Sequence, residues 1–322
     1  MNDKGFLTMN DKVASHALSR RAALVSAAAV FVAGVPPIAR AAPAPPKWDV
    51  LVTPALPIKG GEPLPDGQTP AFSPITATLI YGERDAVLVD SFLTVAQAEA
   101  LAGWVKAHGK NLTTIYATHG HADHFFGAGT VLQKFPGARF VAMPNVVEKM
   151  RGAIAPQAVE RTIQRFPSES FDHLVIAEPL ARPVIDLEGS DLAVIPLGHT
   201  DTDDTTCLHA PSAGLVVAGD AVYNGVHLFL VDSNPQKRRD WIAALDRIEA
   251  LKPRAVIAGH KRPGNDDAPR IIEETRQYIR DFDRLVETSG TAKELYDRMI
   301  ALYPDRVNPS VLRLSARAMM KG

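Results

Sequence analysis

Thr118-His119-Gly120-His121-Ala122-Asp123-His124 holds three histidines and a carboxylate within six consecutive positions, and neither packing nor solubility asks for that density of metal-binding groups. On a strand or loop end, His119 and His121 lie two apart and point the same way, while Asp123 and His124 open the following turn and aim at a neighbouring point. That geometry suits two adjacent metal ions. Imidazoles with a carboxylate are donors that zinc prefers, and a hydrolytic zinc site keeps one position open for water. A surface loop that happens to be rich in histidine is the plain alternative, and the surrounding chain decides between the two.

Downstream, three apolar runs each end in glycine and then a polar donor. Val194-Ile-Pro-Leu-Gly-His199 delivers His199, Leu215-Val-Val-Ala-Gly-Asp220 delivers Asp220, and Ala255-Val-Ile-Ala-Gly-His260 delivers His260. Each run reads as a buried strand. A single histidine so placed is more often a satisfied core residue, and a single Gly-Asp a turn. With the first cluster they complete seven candidate ligands: His119, His121, Asp123, His124, His199, Asp220 and His260. Upstream, Asp90 closes Ala86-Val-Leu-Val-Asp90, either as a strand cap or as the orienting partner that ligating histidines usually need.

This pattern resembles the metallo-β-lactamase superfamily, whose signature is His-x-His-x-Asp-His followed by a distant His, a bridging Asp and a last His; the match spans about Ile75 to His260. The resemblance implies that His119, His121 and His199 hold one zinc ion and Asp123, His124 and His260 the other, with Asp220 bridging. Iron or manganese are the alternative metals. It also implies an α/β fold, a four-layer αβ/βα sandwich with the metals at the rim between the sheets. Two zinc ions roughly 3.5–4 Å apart share a hydroxide and polarise a carbonyl or phosphoryl oxygen. Asp123 would then handle the proton. Tyr223, three residues after Asp220, matches the spacing of a tyrosine that hydrogen-bonds the substrate carbonyl in N-acyl-homoserine lactonases; the alternative is a core packing residue. One segment departs from the family. Thr200-Asp201-Thr202-Asp203-Asp204 follows His199 where many members carry Thr-Pro-Gly or Thr-x-Gly. That acidic loop is expected to be solvated, with orientation of His199 or cation binding as the alternatives. His227 is expected to line the pocket, and His108, His173 and His209 to be structural or at the surface.

Residues 1–41 read as an export signal: Ser19-Arg20-Arg21, an apolar stretch from Ala22 to Val35, then Pro36-Pro37 and Ala39-Arg-Ala41. The segment resembles a twin-arginine signal, which implies a periplasmic destination, although Ala23 stands where a phenylalanine is usual. Ordinary secretion or an uncleaved anchor are the alternatives; the apolar stretch is shorter than the roughly twenty residues that span a bilayer. Met9 is an alternative start. Residues 42–74 read as a Pro-rich linker or arm containing an edge strand, 75–264 as the metallo-β-lactamase domain, and 265–322 as a C-terminal helical extension. Within the domain the spacing predicts one helix over 95–108, a strand over 113–118, a single helical stretch over 145–164 and a strand over 215–218. Ile271, Ile272, Tyr278, Ile279, Phe282 and Leu285 recur at helical spacing and are expected to pack on the sandwich, with a substrate cap or dimer face as the alternative.

The 322 residues carry 35 basic and 36 acidic side chains, enough chain for a full core and no basic stripe for a nucleic-acid partner. Cys207, the one cysteine, cannot form an internal disulfide and reads as a small buried strand residue. The resulting expectation is a zinc-dependent hydrolase cleaving a small lactone, ester or amide, without stable membrane association after cleavage, and with a homodimer as a further expectation. A periplasmic β-lactamase, iron-dependent oxygen chemistry and a non-catalytic metal- or ligand-binding protein are the alternatives. No anchor for a β-lactam carboxylate is recognisable in the sequence.

Overall fold

In the computed structural model, which describes residues 44–320 apart from 61, 62, 66 and 68, short aliphatic and β-branched runs form two large sheets. The expected export signal and Met9 lie outside the described residues. Along the chain come β1 (Lys47–Val52), the small antiparallel pair β2 (Leu56–Pro57) and β3 (Ala71–Phe72), then β4 (Thr76–Tyr81), β5 (Asp85–Val89), β6 (Asn111–Tyr116), β7 (Arg139–Ala142) and β8 (Glu178–Pro179). The second half supplies β9 (Val184–Leu187), β10 (Ser190–Gly198), β11 (Thr205–Ala210), β12 (Leu215–Asn224) and β13 (Ala255–Lys261). The first sheet has the order β1-β4-β5-β6-β7-β8, and the second β13-β12-β11-β10-β9. β1 lies antiparallel to β4 in the register Lys47↔Tyr81, so the Pro-rich arm does contribute an edge strand.

The helices are α1 (Val95–Ala107), α2 (Ala122–Phe125), α3 (Ala128–Lys134), α4 (Pro144–Ala153), α5 (Pro156–Arg165), α6 (Pro235–Ala250), α7 (Arg270–Thr288), α8 (Ala292–Leu302) and α9 (Pro309–Met319). Thr94 and Gln97 cap α1 reciprocally, each side chain accepting from the other's backbone N–H. The single helix expected over 145–164 is two. Pro156 lacks the N–H that would continue the ladder and holds Ala155 extended, with ψ at 141°.

Three hydrophobic cores separate four layers. Leu79, Leu88, Leu101, Val131 and Met150 pack the first sheet against α1, α3 and α4. Ile80, Val89 and Tyr116 meet Leu192, Leu208 and Ile257 between the sheets. Val216, Trp241, Ile279, Phe282, Leu295 and Leu312 pack the second sheet against α6 to α9, so the C-terminal helices share the domain's core. Burying each such side chain contributes about 1.5–3 kcal/mol before ordering costs.

Beyond Ala218, where the sequence pattern of its strand ends, β12 continues through two register shifts to Asn224. Gly219 makes the first shift possible. It sits at φ +53°, and a Cβ there would stand 2.6 Å from Thr118 Oγ1. The glycine thus presses the strand that carries Asp220 against the loop that carries the histidines.

Candidate metal centre

The histidine run leaves the end of β6, turns at His121, whose backbone is extended, and enters the one-turn helix α2, which supplies Asp123 and His124. His199 follows β10 directly, Asp220 lies within β12, and His260 lies within β13. The donors therefore come from facing ends of both sheets. Bonds between the sheets hold those ends together: Thr76 Oγ1 donates to Gly259 O at 2.6 Å, and Thr206 Oγ1 to Thr118 O at 2.6 Å.

Four of the rings have a partner for the nitrogen facing away from the centre, and His121 meets Asp201 through Nδ1. Asp90 Oδ2 takes the Nδ1–H of His124 at 2.8 Å, Asp203 Oδ1 that of His199 at 2.7 Å, and Pro74 O that of His260 at 2.8 Å. His119 Nδ1 lies 3.1 Å from Thr118 Oγ1, itself tied to Asp90. Such contacts fix tautomer and ring direction, leaving Nε2 as the donor atom. The Nε2 atoms of His119, His124 and His199 are accordingly buried with no hydrogen-bond partner. Buried polar atoms without partners are rare, and those of His119 and His124 belong to rings whose centres lie 4.1 Å apart.

The donors form two clusters. His124 Nε2 lies 3.4 Å from Asp123 Oδ2 and 3.2 Å from Asp220 Oδ1; His260 Nε2 lies 3.4 Å from Asp123 Oδ2 and 3.1 Å from Asp220 Oδ2. Donors bound to one tetrahedral ion at roughly 2.0–2.2 Å stand about 3.3–3.6 Å apart, so these separations fit. The second cluster gathers His119, His121, Asp201 and Asp220 within 4.8 Å. His199 stands outside this group, although its Nε2 is buried and unpartnered. Asp220 belongs to one cluster and touches the other, the position of a bridge.

The acidic loop is not simply solvated. Asp201 is 1% exposed, whereas Asp203 and Asp204 keep the expected surface character; Asp203 also orients His199, and Asp204 faces Lys149. The spacing signal was present, since a carboxylate four residues after a histidine can reach its Nδ1 across a tight turn. His227 does not line the cavity. It is buried against Tyr278, whose hydroxyl lies 2.9 Å from Nδ1, and burial, then Arg306, lowers its pKa to about 3. His108 binds Trp104 O and lies near Asp49, while His173 is exposed and His209 half-buried, as structural or surface residues. Cys207 is buried in β11, where burial pushes its thiol up to about 12.

Charge within the centre is tightly compensated. Burial disfavours the charged form of every group, and the carboxylates outweigh it at three rings: Asp201 leads in lifting His121 to about 9, Asp220 in lifting His260 to about 10, and Asp220 again in holding His124 well above its ordinary value. His119 goes the other way, to about 4, through burial and the neighbouring His124. Asp123 and Asp220 resist burial and stay far below the ordinary carboxylate range because of His124 and His260.

The centre floors a cavity of about 230 Å³ lined by His121, Asp123, Asp220, Tyr223 and His260. Tyr223 is buried against Trp241 and His260, and its hydroxyl donates to Asp220 Oδ2 at 3.1 Å; burial, then Asp220, keeps the phenol protonated. Leu93, Phe72, Phe166, Phe229 and Leu314 form apolar walls, with Leu314 of α9 45% exposed at the mouth. Arg165, the one lysine or arginine among the lining residues, is held 5.7 Å from the Phe72 ring centre and 5.5 Å from that of Phe166. Neither Arg165 nor the α9 wall carries a motif; both reach the cavity only through tertiary packing.

The sequence profile of the metallo-beta-lactamase superfamily matches residues 71–260. A metallo-beta-lactamase type 2 from Bacteroides fragilis is 23% identical over 214 residues, 65% of this chain and 76% of that protein. A hydroxyacylglutathione hydrolase from Erythrobacter litoralis (strain HTCC2594) is 26% identical over 182 residues, 52% of this chain and 61% of its own length, so the chain spans about three fifths of that relative. Among solved structures, a metallo-beta-lactamase family protein from Thermus thermophilus superposes with a TM-score of 0.56 at 21% identity, covering 84% of this chain and 91% of its own, a likeness of fold.

Proposed function

The chain belongs to the metallo-β-lactamase superfamily and is a metal-dependent hydrolase, and from that premise we propose that it cleaves a small lactone, ester or amide at a two-ion centre. The observation that carries this reading is the meeting of two donor clusters at Asp220 on the floor of an apolar cavity. His119, His121 and His199 would hold one ion, Asp123, His124 and His260 the other, and Asp220 both. When bound, two divalent ions supply Lewis acidity and a water acidified into the neutral range; zinc suits the imidazole donors, with iron and manganese as alternatives.

The chain's own groups do the rest. Phe229, Leu93 and Phe72 hold the apolar body of the substrate and exclude bulk water from the floor. Tyr223 keeps its proton and turns it from Asp220 to the carbonyl oxygen as negative charge develops there. The elements of water add across the acyl bond: the hydroxyl joins the acyl carbon to give the product acid, and Asp123 takes the remaining proton of that water and passes it to the departing oxygen or nitrogen.

A second reading, a β-lactam as substrate, is favoured by Arg165. It lines the cavity with no close ion pair among the described residues, Asp123 acting on its guanidinium only at longer range, and would pair with the carboxylate such compounds carry. The deciding experiment is hydrolysis by the zinc-loaded protein of an acyl-homoserine lactone and a chromogenic cephalosporin in parallel, with His121→Ala and Arg165→Met. Lactone turnover that disappears in His121→Ala supports the first reading. Preferential cephalosporin turnover with a KM raised by Arg165→Met supports the second, and silence on both and on a wider ester panel overturns the hydrolytic assignment.

Residues 1–41 add a periplasmic destination to the proposal. Retention inside cells of a chain carrying Arg20→Lys and Arg21→Lys supports it, and unchanged export overturns it.

A further inference from the structure

Asp201 has the surroundings of a metal ligand. Its side chain is fully buried, and its two oxygens differ. Oδ1 accepts from Thr200 Oγ1 at 2.9 Å, which fixes the carboxylate plane, and Thr200 is itself held by Thr205. Oδ2 points into the His119–His121 cluster, 2.9 Å from His121 Nδ1 and 3.8 Å from His119 Nε2, and has no other partner. An anionic oxygen sealed from water is strongly unfavourable unless a cation meets it, either the charged ring of His121 or a metal ion. The spacings are those of donors around one ion, somewhat tighter on the His121 side than a tetrahedral edge and nearer the roughly 3 Å edge of an octahedron.

We propose that Asp201 is a further ligand of the ion held by His119 and His121, so that two carboxylates, Asp201 and Asp220, meet at that subsite. The family signature has no carboxylate at this position, and the departure after His199 that separates this chain from the signature is the segment that carries it. Hard oxygen donors shift preference towards harder ions, so Asp201 makes this subsite as rich in carboxylate as the His124–His260 subsite, where Asp123 and Asp220 stand, and less selective for zinc than a set with one carboxylate would be. Ligation by Asp201 lowers the net charge of that loaded subsite by one. The inference rests on the two-ion reading above but not on hydrolysis, because it is tested by metal spectroscopy alone.

The test is cobalt(II) titration of the full chain followed by absorption. In Asp201→Cys, a thiolate at this position bonds the ion only if residue 201 reaches it, and a thiolate-to-cobalt charge-transfer band in the near ultraviolet is expected. Wild type, whose buried Cys207 lies away from both clusters, should lack that band, and adding His121→Ala to Asp201→Cys should weaken it. The near-isosteric Asp201→Asn should bind one of two cobalt equivalents about 10–100-fold more weakly and leave the other unchanged. A cobalt-loaded Asp201→Cys protein without the band, or an Asp201→Asn protein that binds both equivalents as wild type does, overturns the assignment.

Discussion

Replacing Asp90 by asparagine should loosen one ion and leave the other in place. Asp90 Oδ1 accepts from the backbone N–H of Thr118 at 2.9 Å, and Oδ2 from His124 Nδ1 at 2.8 Å and Thr118 Oγ1 at 3.0 Å. An asparagine keeps one oxygen. If that oxygen stays with Thr118, its amide N–H₂ confronts the Nδ1–H of His124, and relief requires the ring to move its proton to Nε2, the atom that faces Asp123 and Asp220. If the amide flips, the clash moves to the Thr118 N–H. Losing one charge-assisted bond costs about 1.5–3 kcal/mol, which at 1.4 kcal/mol per decade is about a 10–100-fold loss of affinity at the Asp123–His124–His260 cluster. Backbone strain is no confounder, because Asp90 sits at φ +63° and asparagine tolerates that region as well as aspartate does. Chelator-competition titration of both equivalents, with far-ultraviolet circular dichroism to verify folding, reads the effect. Two equivalents binding within threefold of wild type would refute the orienting role of Asp90.

Gly259→Ala should lower metal affinity and the melting temperature together, because its Cβ would overlap Asp220 Oδ1; a destabilisation of about 1–3 kcal/mol should appear in thermal melts with and without metal. Tyr223→Phe should cut kcat about 100-fold while KM changes only a few-fold, and an unchanged kcat in steady-state assays would remove the tyrosine from the chemistry. Without metal, stability should fall as pH rises: His121 at about 9 and His260 at about 10 are raised above the unfolded value of about 6.5, so their contribution is complete below that value and lost through their folded pKa values. Melts of the metal-free protein from neutral to strongly alkaline pH check this, and a flat profile would contradict it. At pH 7 the charged rings of His121, His124 and His260 must give up about three protons on loading, which calorimetry in buffers of different ionisation enthalpy can count.

The parts legible from sequence were those written locally. His119 to His124 lie on one turn, and His199, Asp220 and His260 each follow an apolar run and a glycine; strand periodicity put them at strand ends, which holds for His199 and nearly for His260, while β12 runs on past Asp220 to Asn224. Helix α1 was legible from the apolar spacing over 95–108. What stayed hidden depended on contacts distant in sequence. The inward turn of Asp201 needs the fold of its own loop, and Arg165 reaches the cavity because β2 and α5 meet, Lys59 N donating to Arg165 O at 3.0 Å. The α9 wall is held by Ser310 Oγ, which accepts from Ala71 N across 239 positions. Pro156 was a readable break inside the expected 145–164 helix, since proline ends helices through the residue before it.

Because the candidate donors arrive from both sheets, an ion bound among them is also a clasp between the two halves of the chain. Stability then follows supply: any ligand that binds the folded state alone adds RT ln(1 + [L]/Kd), about 4 kcal/mol when the free ion exceeds its dissociation constant a thousandfold. That is a large fraction of the total stability of a typical domain. A cell short of metal would therefore lose molecules as well as turnover, since proteases work on the opened population and that population grows as the clasp empties.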